Sequence, residues 1–521
     1  MNAPVRAKRT ADVPLHYNLV EILERNLHES ADRVALLSPD REMTFAQVSA
    51  EANRVTNALR SIGLRAGDTV AIFSPDCAEW ATCFFGTLKA GGIALGVNTL
   101  FTPEGLRFVL HDGRACVVIV HEDLLETFEQ IREDLPLLET VVVIGPDTRE
   151  GDHSYSEWIA DQPETAEAAL THRDDFALLN YSSGTTGEPK GILHAHKDPL
   201  LAAELWGVNV LGIESADRTL SVPRLFFTFG LGGNLIFPWY VGAQTVVFPE
   251  SPRKASTVLG MIVRFRPSIL FSAPTGYATA LAVEGLTTDY DLSSLRVCVS
   301  AGEALPAVLW HRWQGTVGVE IIDGIGSTEN FHIFLSNRPG RIRPGSSGRE
   351  IEGFELAIVD ESGNPVEQGQ VGNLLVKGET AALSYLHDSE KSRKNFQGEW
   401  LHTGDKYYMD ADGYYWHAGR SDDMLKVGGI WVSPVEVEST LIAHDAVLEC
   451  AVVGIGDRAN LIKPKAYVVL NPGYDPSDAL AAELTQHCVS AMEAYKRPRW
   501  FEFVDDLPKT ATGKIQRFKL R

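Results

Sequence analysis

The stretch Tyr181-Ser-Ser-Gly-Thr-Thr-Gly-Glu-Pro-Lys-Gly191 sets four hydroxyl side chains and two glycines in front of a lysine. It lies between two apolar runs of strand character, Phe176 to Asn180 and one beginning at Ile192. Small residues let backbone N–H groups close on a polyphosphate, hydroxyls add donors, and Lys190 adds a point charge. The spelling is not that of a P-loop NTPase, because Glu188-Pro189 separates Gly187 from Lys190. A Ser/Thr/Gly run between strands is ordinarily just a turn. The uniform character of this one, ending in Pro-Lys-Gly, favours a phosphate loop.

Other stretches carry chemistry of a compatible kind. Asp323-Gly-Ile-Gly-Ser-Thr-Glu329 follows the apolar Val319–Ile322. A carboxylate after Gly-Ser-Thr at a strand end suits Mg²⁺, which takes one or two carboxylates plus nucleotide phosphates. Taken alone, Glu329 reads as a solvated loop acid. His332, inside the apolar Phe331–Phe334, reads as a buried residue and not a catalyst. Trp400-Leu-His-Thr-Gly-Asp405 places an acid after a tight turn, and Gly419 to Gly429 is a charged, glycine-rich, linker-like run. Near the end, Leu507 to Arg517 presents Lys514 from a loop of threonines and a glycine. Composition alone would leave that lysine on a solvated surface.

The elements that must position these residues are α/β in pattern. Leu19 to Leu27 carries a helical apolar stripe, and Thr44 can cap a second helix with the stripe Val48, Ala52, Val55, Ala58, Leu59. Strand-like runs at Asp68–Phe73, Ala115–Val120 and Thr140–Ile144 alternate with helical stretches, which argues for parallel sheets covered on both faces. Asp147 to Arg173 is polar and acidic and reads as a surface excursion. The glycines after Leu225-Phe-Phe-Thr-Phe read as core followed by a tight turn, and they lack the dinucleotide-binding spacing. Arg341 to Tyr415 reads as a β-rich sub-domain, and the tail beyond it as a small α+β domain.

With 521 residues, the chain exceeds one hydrophobic core. No apolar run is long enough to span a membrane, and no secretory leader follows the basic start. The six cysteines lack paired spacing and read as buried hydrophobes in a reduced, cytoplasmic setting. The net charge of −22 repels nucleic acid and anionic membrane surfaces, so neither is expected as a partner. From Asp423 on, twelve Lys and Arg nearly balance thirteen Asp and Glu, so the acidity lies upstream and the tail is compositionally distinct.

Taken in order, the loop at 181–191, Asp323 to Glu329, Thr403-Gly-Asp405, Gly419 to Gly429 and Pro508 to Lys514 resemble the motifs of the adenylate-forming enzymes. The likeness runs over the whole chain. Leu225–Gly232, Ser300–Pro306, His332–Asn337 and Val504–Leu520 look most like benzoate-CoA ligases. The resemblance implies an α/β fold: a large N-terminal domain, residues 1–421, of parallel-rich sheets covered by helices plus a β-rich sub-domain. A small mobile α+β domain, 422–521, would carry the catalytic lysine.

The implied reaction is ATP-dependent activation of an aromatic acid, benzoate or a substituted benzoate, followed by transfer to coenzyme A. Lys514, Glu329, Lys190 and Thr185 would be catalytic, with Glu329 holding Mg²⁺. Ser182, Ser183, Gly184, Thr185, Thr186, Gly187 and Lys190 would cradle phosphates. Gly302, Glu303, Ala304, Asp323 and Thr328 would border the rest of ATP, with Asp405 at the ribose hydroxyls and Arg420 at the ribose or phosphates. Thr228, Phe229, Ala301, Gly326, His332 and Ile333 would line the acid pocket, Gly429 the coenzyme A path, and Asp422 would be the hinge. Benzoate-CoA ligases of this kind carry Ala-Tyr where Thr228-Phe229 stand here, which leaves the accepted ring substituent open. An adenylating enzyme that loads a carrier protein, and a non-catalytic nucleotide-binding protein, are the alternatives. A monomer or a homodimer fits either.

Overall fold

Helix Phe45–Ser61 shows how sequence sets the framework. Thr44 accepts a hydrogen bond from the Gln47 N–H while the Gln47 side chain accepts one from the Thr44 N–H, a reciprocal cap that satisfies two otherwise orphaned donors. Its stripe of Val48, Ala52, Val55, Ala58 and Leu59 is buried. Much of that stripe faces helix Ala78–Ala90, whose Gly86 permits the contact: a Cβ there would lie 2.6 Å from Val55 Cγ1. The structure, a computed structural model, describes residues 4–182, 189–421, 423–427, 430–457, 461–509 and 515–521.

Among the described residues, two large sheets carry the N-terminal part. One runs in the order His153–Ser154, Thr140–Ile144, Ala115–His121, Thr69–Phe73, Ile93–Gly96, Phe176–Ser182, Lys190–Ala195. It is parallel except for the last pair, an antiparallel hairpin that brackets the phosphate-loop motif. The other has a parallel core that includes Arg218–Ser221, Ile269–Ser272, Val297–Ser300 and Ile321–Gly326. Antiparallel strands close both of its edges. A five-stranded antiparallel sheet from Phe354 to Arg420 forms the β-rich part. Beyond it, Val447–Gly456, Ile462–Leu470 and Trp500–Phe503 make a three-stranded sheet whose core is shared with helices Pro434–Ile442 and Asp478–Ala491. No helix among the described residues is long and apolar enough to cross a membrane.

Two expectations change. The polar segment 147–173 is not simply a surface excursion: it contains helix Tyr155–Ala160, which buries Tyr155, Trp158 and Ile159. The Tyr155 hydroxyl reaches Glu51 at 2.9 Å and Thr82 at 2.8 Å. Three anchors at helical spacing outweigh an acidic average composition. The glycines after Phe229 do not make a tight turn. Helix Thr228–Leu231 continues through a π turn, Gly232–Ile236, into Phe237–Tyr240. Those glycines serve close approach: a Cβ on Gly230 would meet the Arg224 carbonyl oxygen at 2.2 Å, and one on Gly233 would meet Phe271 Cδ1 at 2.7 Å.

Candidate active site

A cleft of about 1440 Å³ opens between the sheets, the β-rich part and the C-terminal part. It lies beyond the carboxyl ends of parallel strands Val297–Ser300 and Ile321–Gly326, the usual ligand position in such sheets. Ser182 and Lys190 face each other in register across the hairpin mouth, and both line the cleft. Gly302, whose φ of +97° turns the chain sharply after its strand, lines it together with Glu303 and Ala304. Gly326, Thr328, Glu329, Asp405 and Arg420 complete the set that the structure brings together. Asp323 sits behind this wall, in register with Ser300, and burial pushes its carboxyl up to about 8. Ser183, Gly184, Thr185, Thr186, Gly187, Asp422, Gly429 and Lys514 lie outside the described residues.

Each charged side chain is held by local structure. Glu329 projects from a 3₁₀ turn, Thr328–Asn330, which the Ser327 hydroxyl caps by accepting the Asn330 N–H at 3.2 Å. Its Oε1 accepts a hydrogen bond of 2.9 Å from the Tyr385 hydroxyl. The Lys190 ammonium stands 5.2 Å from the centre of the Tyr385 ring. Burial lowers the Lys190 pKa, and the charge of Glu329 opposes that shift. Asp405 and Arg420 pair across antiparallel strands, with Oδ1 and Nη1 3.3 Å apart. No group of three or more His, Cys, Asp or Glu among the described residues could hold a metal alone. A lone carboxylate on the cleft wall fits Mg²⁺, which completes its octahedron with phosphates and water.

Behind Glu329 the chain reverses abruptly. Phe331 adopts φ +66° and ψ −43°, and the His332 N–H donates to the Asn330 carbonyl at 2.8 Å, which makes a γ-turn of the rare positive-φ kind. Such backbone costs about 1–3 kcal/mol and needs surrounding structure to hold it. Here Phe331 is fully buried, with its ring at an edge-on angle to His194. His194 itself bonds the Thr328 carbonyl at 2.7 Å and Asp198 at 3.0 Å. The turn separates a carboxylate facing the cleft from an imidazole facing apolar rings.

His332 is 3% exposed, with the rings of Phe237, Trp206 and Phe229 centred 4.5, 5.2 and 5.4 Å away. Its Nε2 lies 3.2 Å from the Phe229 carbonyl oxygen, so that nitrogen carries the proton and donates. Nδ1 is then a lone pair, and it has no hydrogen-bond partner among the described residues. Burial pushes the ring down to about 3, which keeps it neutral. Gly232 is tucked beneath it: a Cβ there would lie 2.5 Å from His332 Cδ2. Ile333 pairs with Gly326 across antiparallel strands. Ala301 and Thr228 are buried, the first directly after the strand Val297–Ser300 and the second at the start of the π-interrupted helix. Of the six residues expected at the acid, only Gly326 lies on the cleft wall itself.

The C-terminal part reaches into this site. The Ile515 N–H, next to the lysine loop, donates to Glu303 Oε1 at 2.8 Å, and Arg312 meets Asp445 at 3.3 Å. Arg517 forks onto Glu438 at 2.9 and 2.7 Å. Sequence reasoning missed Tyr385, Asn395, His194, Trp206 and Phe237. None sits in a motif with a charge or a glycine signal.

Comparison with known proteins completes the description. Residues 23–386 match the family described as AMP-binding enzyme, and 436–514 its C-terminal domain. The chain is 44% identical to a benzoate–CoA ligase of Thauera aromatica over 98% of its own length and 96% of that protein. The solved anthranilate CoA ligase AuaEII, in complex with anthranoyl-AMP, superposes with a TM-score of 0.96 at 62% identity, covering 98% of both chains. A benzoate CoA ligase from Burkholderia xenovorans LB400 gives 0.90 at 40%, covering 97% of this chain and all of that one.

Proposed function

Because the chain belongs to the AMP-binding enzyme family, as an AMP-forming acid–thiol ligase that activates aryl acids to their CoA thioesters, we propose that its preferred acid is a benzoate bearing a hydrogen-bond donor, with 2-aminobenzoate (anthranilate) ahead of benzoate. The observation that carries this is the unpartnered Nδ1 lone pair of neutral His332, enclosed by aromatic rings. A buried acceptor without a partner costs about 1–3 kcal/mol, which a ring amino group would recover and an unsubstituted ring would not. The same lone pair repels a carboxylate, so the acid's own anion points away from it. The Phe229 ring offers neither donor nor acceptor, so beside it a donating substituent gains by facing His332. The 62% identity to a ligase solved with anthranoyl-AMP supports the same choice.

In the first half-reaction a carboxylate oxygen attacks the α-phosphorus of ATP, and the bond to the β-phosphate bridging oxygen breaks, releasing pyrophosphate. In the second, the thiol sulfur of coenzyme A attacks the acyl carbon and AMP leaves. We assign Lys514 to the first step, where two anions meet. Ile515, next to Lys514 in sequence, lines the cleft and donates to Glu303, which supports that assignment. Ser182, the loop 183–187 and Lys190 would hold the outer phosphates. Asp405 would accept from the ribose hydroxyls with Arg420 beside it, and Gly302 to Ala304 and Thr328 would border the base, with Asp323 behind them. When bound through Glu329, Mg²⁺ would neutralise charge on the departing pyrophosphate. In the second step Gly429 would line the path of the thiol and Asp422 would be the hinge.

The test is kcat/KM for anthranilate, benzoate and the three hydroxybenzoates in ATP- and CoA-dependent AMP formation, in wild type and His332→Phe. Anthranilate should lead benzoate by about 5- to 100-fold in wild type, and the lead should vanish in the variant. Benzoate matching anthranilate in wild type, or a preference that survives the substitution, overturns the proposal.

A further inference from the structure

Glu329 and Lys190 both line the cleft and feel each other's charge, yet they are not joined by a direct ion pair. A half-buried carboxylate and ammonium whose charges act on each other can collapse into an ion pair, and each would then be lost to a nucleotide. Tyr385 contacts both. Its hydroxyl donates to Glu329 Oε1 at 2.9 Å, and its ring face carries Lys190 Nζ at 5.2 Å. The Asn395 side-chain amide donates to the phenol oxygen at 2.9 Å, which commits the phenol proton to Glu329.

The ring is itself fixed from several sides. It is 4% exposed and meets Phe396 at 5.2 Å. The Tyr385 N–H donates to the Ser392 hydroxyl at 2.9 Å, and the Leu386 N–H to the Gly191 carbonyl at 2.8 Å. The Ala382 N–H donates to the Glu329 carbonyl at 2.7 Å. One short segment thus clips the carboxylate's backbone to the phosphate-loop hairpin.

We propose that Tyr385 is a positioning residue, which ties one oxygen of Glu329 so that the other stays open to a nucleotide-bound divalent cation, while its ring holds Lys190 off that carboxylate. This rests on the reading of Glu329 and Lys190 as the nucleotide's metal and phosphate contacts. A phenylalanine would keep the cation–ring contact and lose the donor, so Tyr385→Phe isolates the hydroxyl. Loss of such an outer partner costs about 10- to 100-fold in metal affinity.

The experiment measures ATP binding by calorimetry across a Mg²⁺ titration, without any acid, together with thioester formation from supplied benzoyl-AMP and anthranoyl-AMP. In Tyr385→Phe the half-saturating Mg²⁺ should rise about 10- to 100-fold. ATP affinity without metal, and thioester formation from the supplied adenylates, should stay at wild-type values. Asn395→Ala, which releases the phenol proton from its orientation, should shift the Mg²⁺ requirement the same way by less, and it serves where the tyrosine variant fails to fold. An unchanged Mg²⁺ requirement in both variants, or equal loss of ATP binding with and without metal, overturns the role. Wild type that binds ATP with no dependence on Mg²⁺ overturns the underlying reading of Glu329 instead.

Discussion

Glu329 and His332 are three residues apart, yet they belong to opposite kinds of site. Around Glu329 the groups are charged, sit at strand ends and turns, and are kept apart by single hydrogen bonds and one ring face. Around His332 no charge from the described residues shifts the ring, and the shape comes from Trp206, on a second π turn at Ala203–Val208, and from Phe229 and Phe237, on either side of the π turn Gly232–Ile236. The γ-turn at Phe331 is the boundary. On the proposed reading, the reaction dictates residue types at the first end, since phosphates need donors and cations. At the second it then dictates only a volume and one acceptor, which many combinations of distant residues can build.

The sharpest way to break the contrast is at the charged end. Lys514→Ala should lower adenylate formation by about 10²–10³, the usual loss for a preorganised charge at a transition state. Thioester formation from supplied aryl-AMP should largely survive. Pyrophosphate release and thioester formation are read separately, and equal losses in both would remove the lysine from the first step. The apolar end should fail in a different way. Gly232→Ala drives a methyl group into the His332 ring, and overpacking of this kind costs about 1–3 kcal/mol. The kcat/KM for the acid should fall about 5- to 100-fold, while calorimetric MgATP binding stays put. A variant with normal acid kinetics would show that the imidazole is not part of the acid site.

The same contrast explains what the sequence made legible. The loop at 181–191 was readable because hydroxyls, glycines and a lysine packed so closely have few other uses. Glu329, Asp405 and Arg420, which alone read as a loop acid, an acid after a turn and part of a linker, took their roles from the resemblance. The structure brings the described ones to one cleft. Thr44 and its stripe were readable for a similar local reason, a cap and a 3.6-residue period. Tyr385 was not readable, because a tyrosine in an irregular loop gains meaning only when the fold carries it beside Glu329, fifty-six positions away. The π turn was hidden too. Glycines signal turns when judged by backbone freedom, whereas Gly230, Gly232 and Gly233 are there for what packs against them. Helix Tyr155–Ala160 was lost in an acidic average for the complementary reason, since few residues anchor it.

The smallest effect is the one that sets the two ends against each other most directly. Burial holds Asp323, behind the cleft wall at the charged end, at about 8 against an ordinary 3.8, because the charged form is the one penalised. Between those values the folded chain keeps a proton that the unfolded chain has released, so stability falls as pH rises, by up to about 1.4 kcal/mol per pH unit. His332 is held at about 3 against 6.5, again by burial. Between those values the unfolded chain takes a proton that the folded chain refuses, so stability falls as pH drops, with the same limiting slope. His196, held at about 4 while its Nδ1 accepts the Leu19 N–H, acts in the same direction as His332. Chemical denaturation of wild type, Asp323→Asn and His332→Phe from pH 5 to 8 separates the ends. The stability of Asp323→Asn relative to wild type should climb steadily toward pH 8. That of His332→Phe should climb instead as pH falls below 6.5. Parallel curves for all three would mean that neither group is buried in the state that titrates, and the division at Phe331 would then lose its electrostatic half.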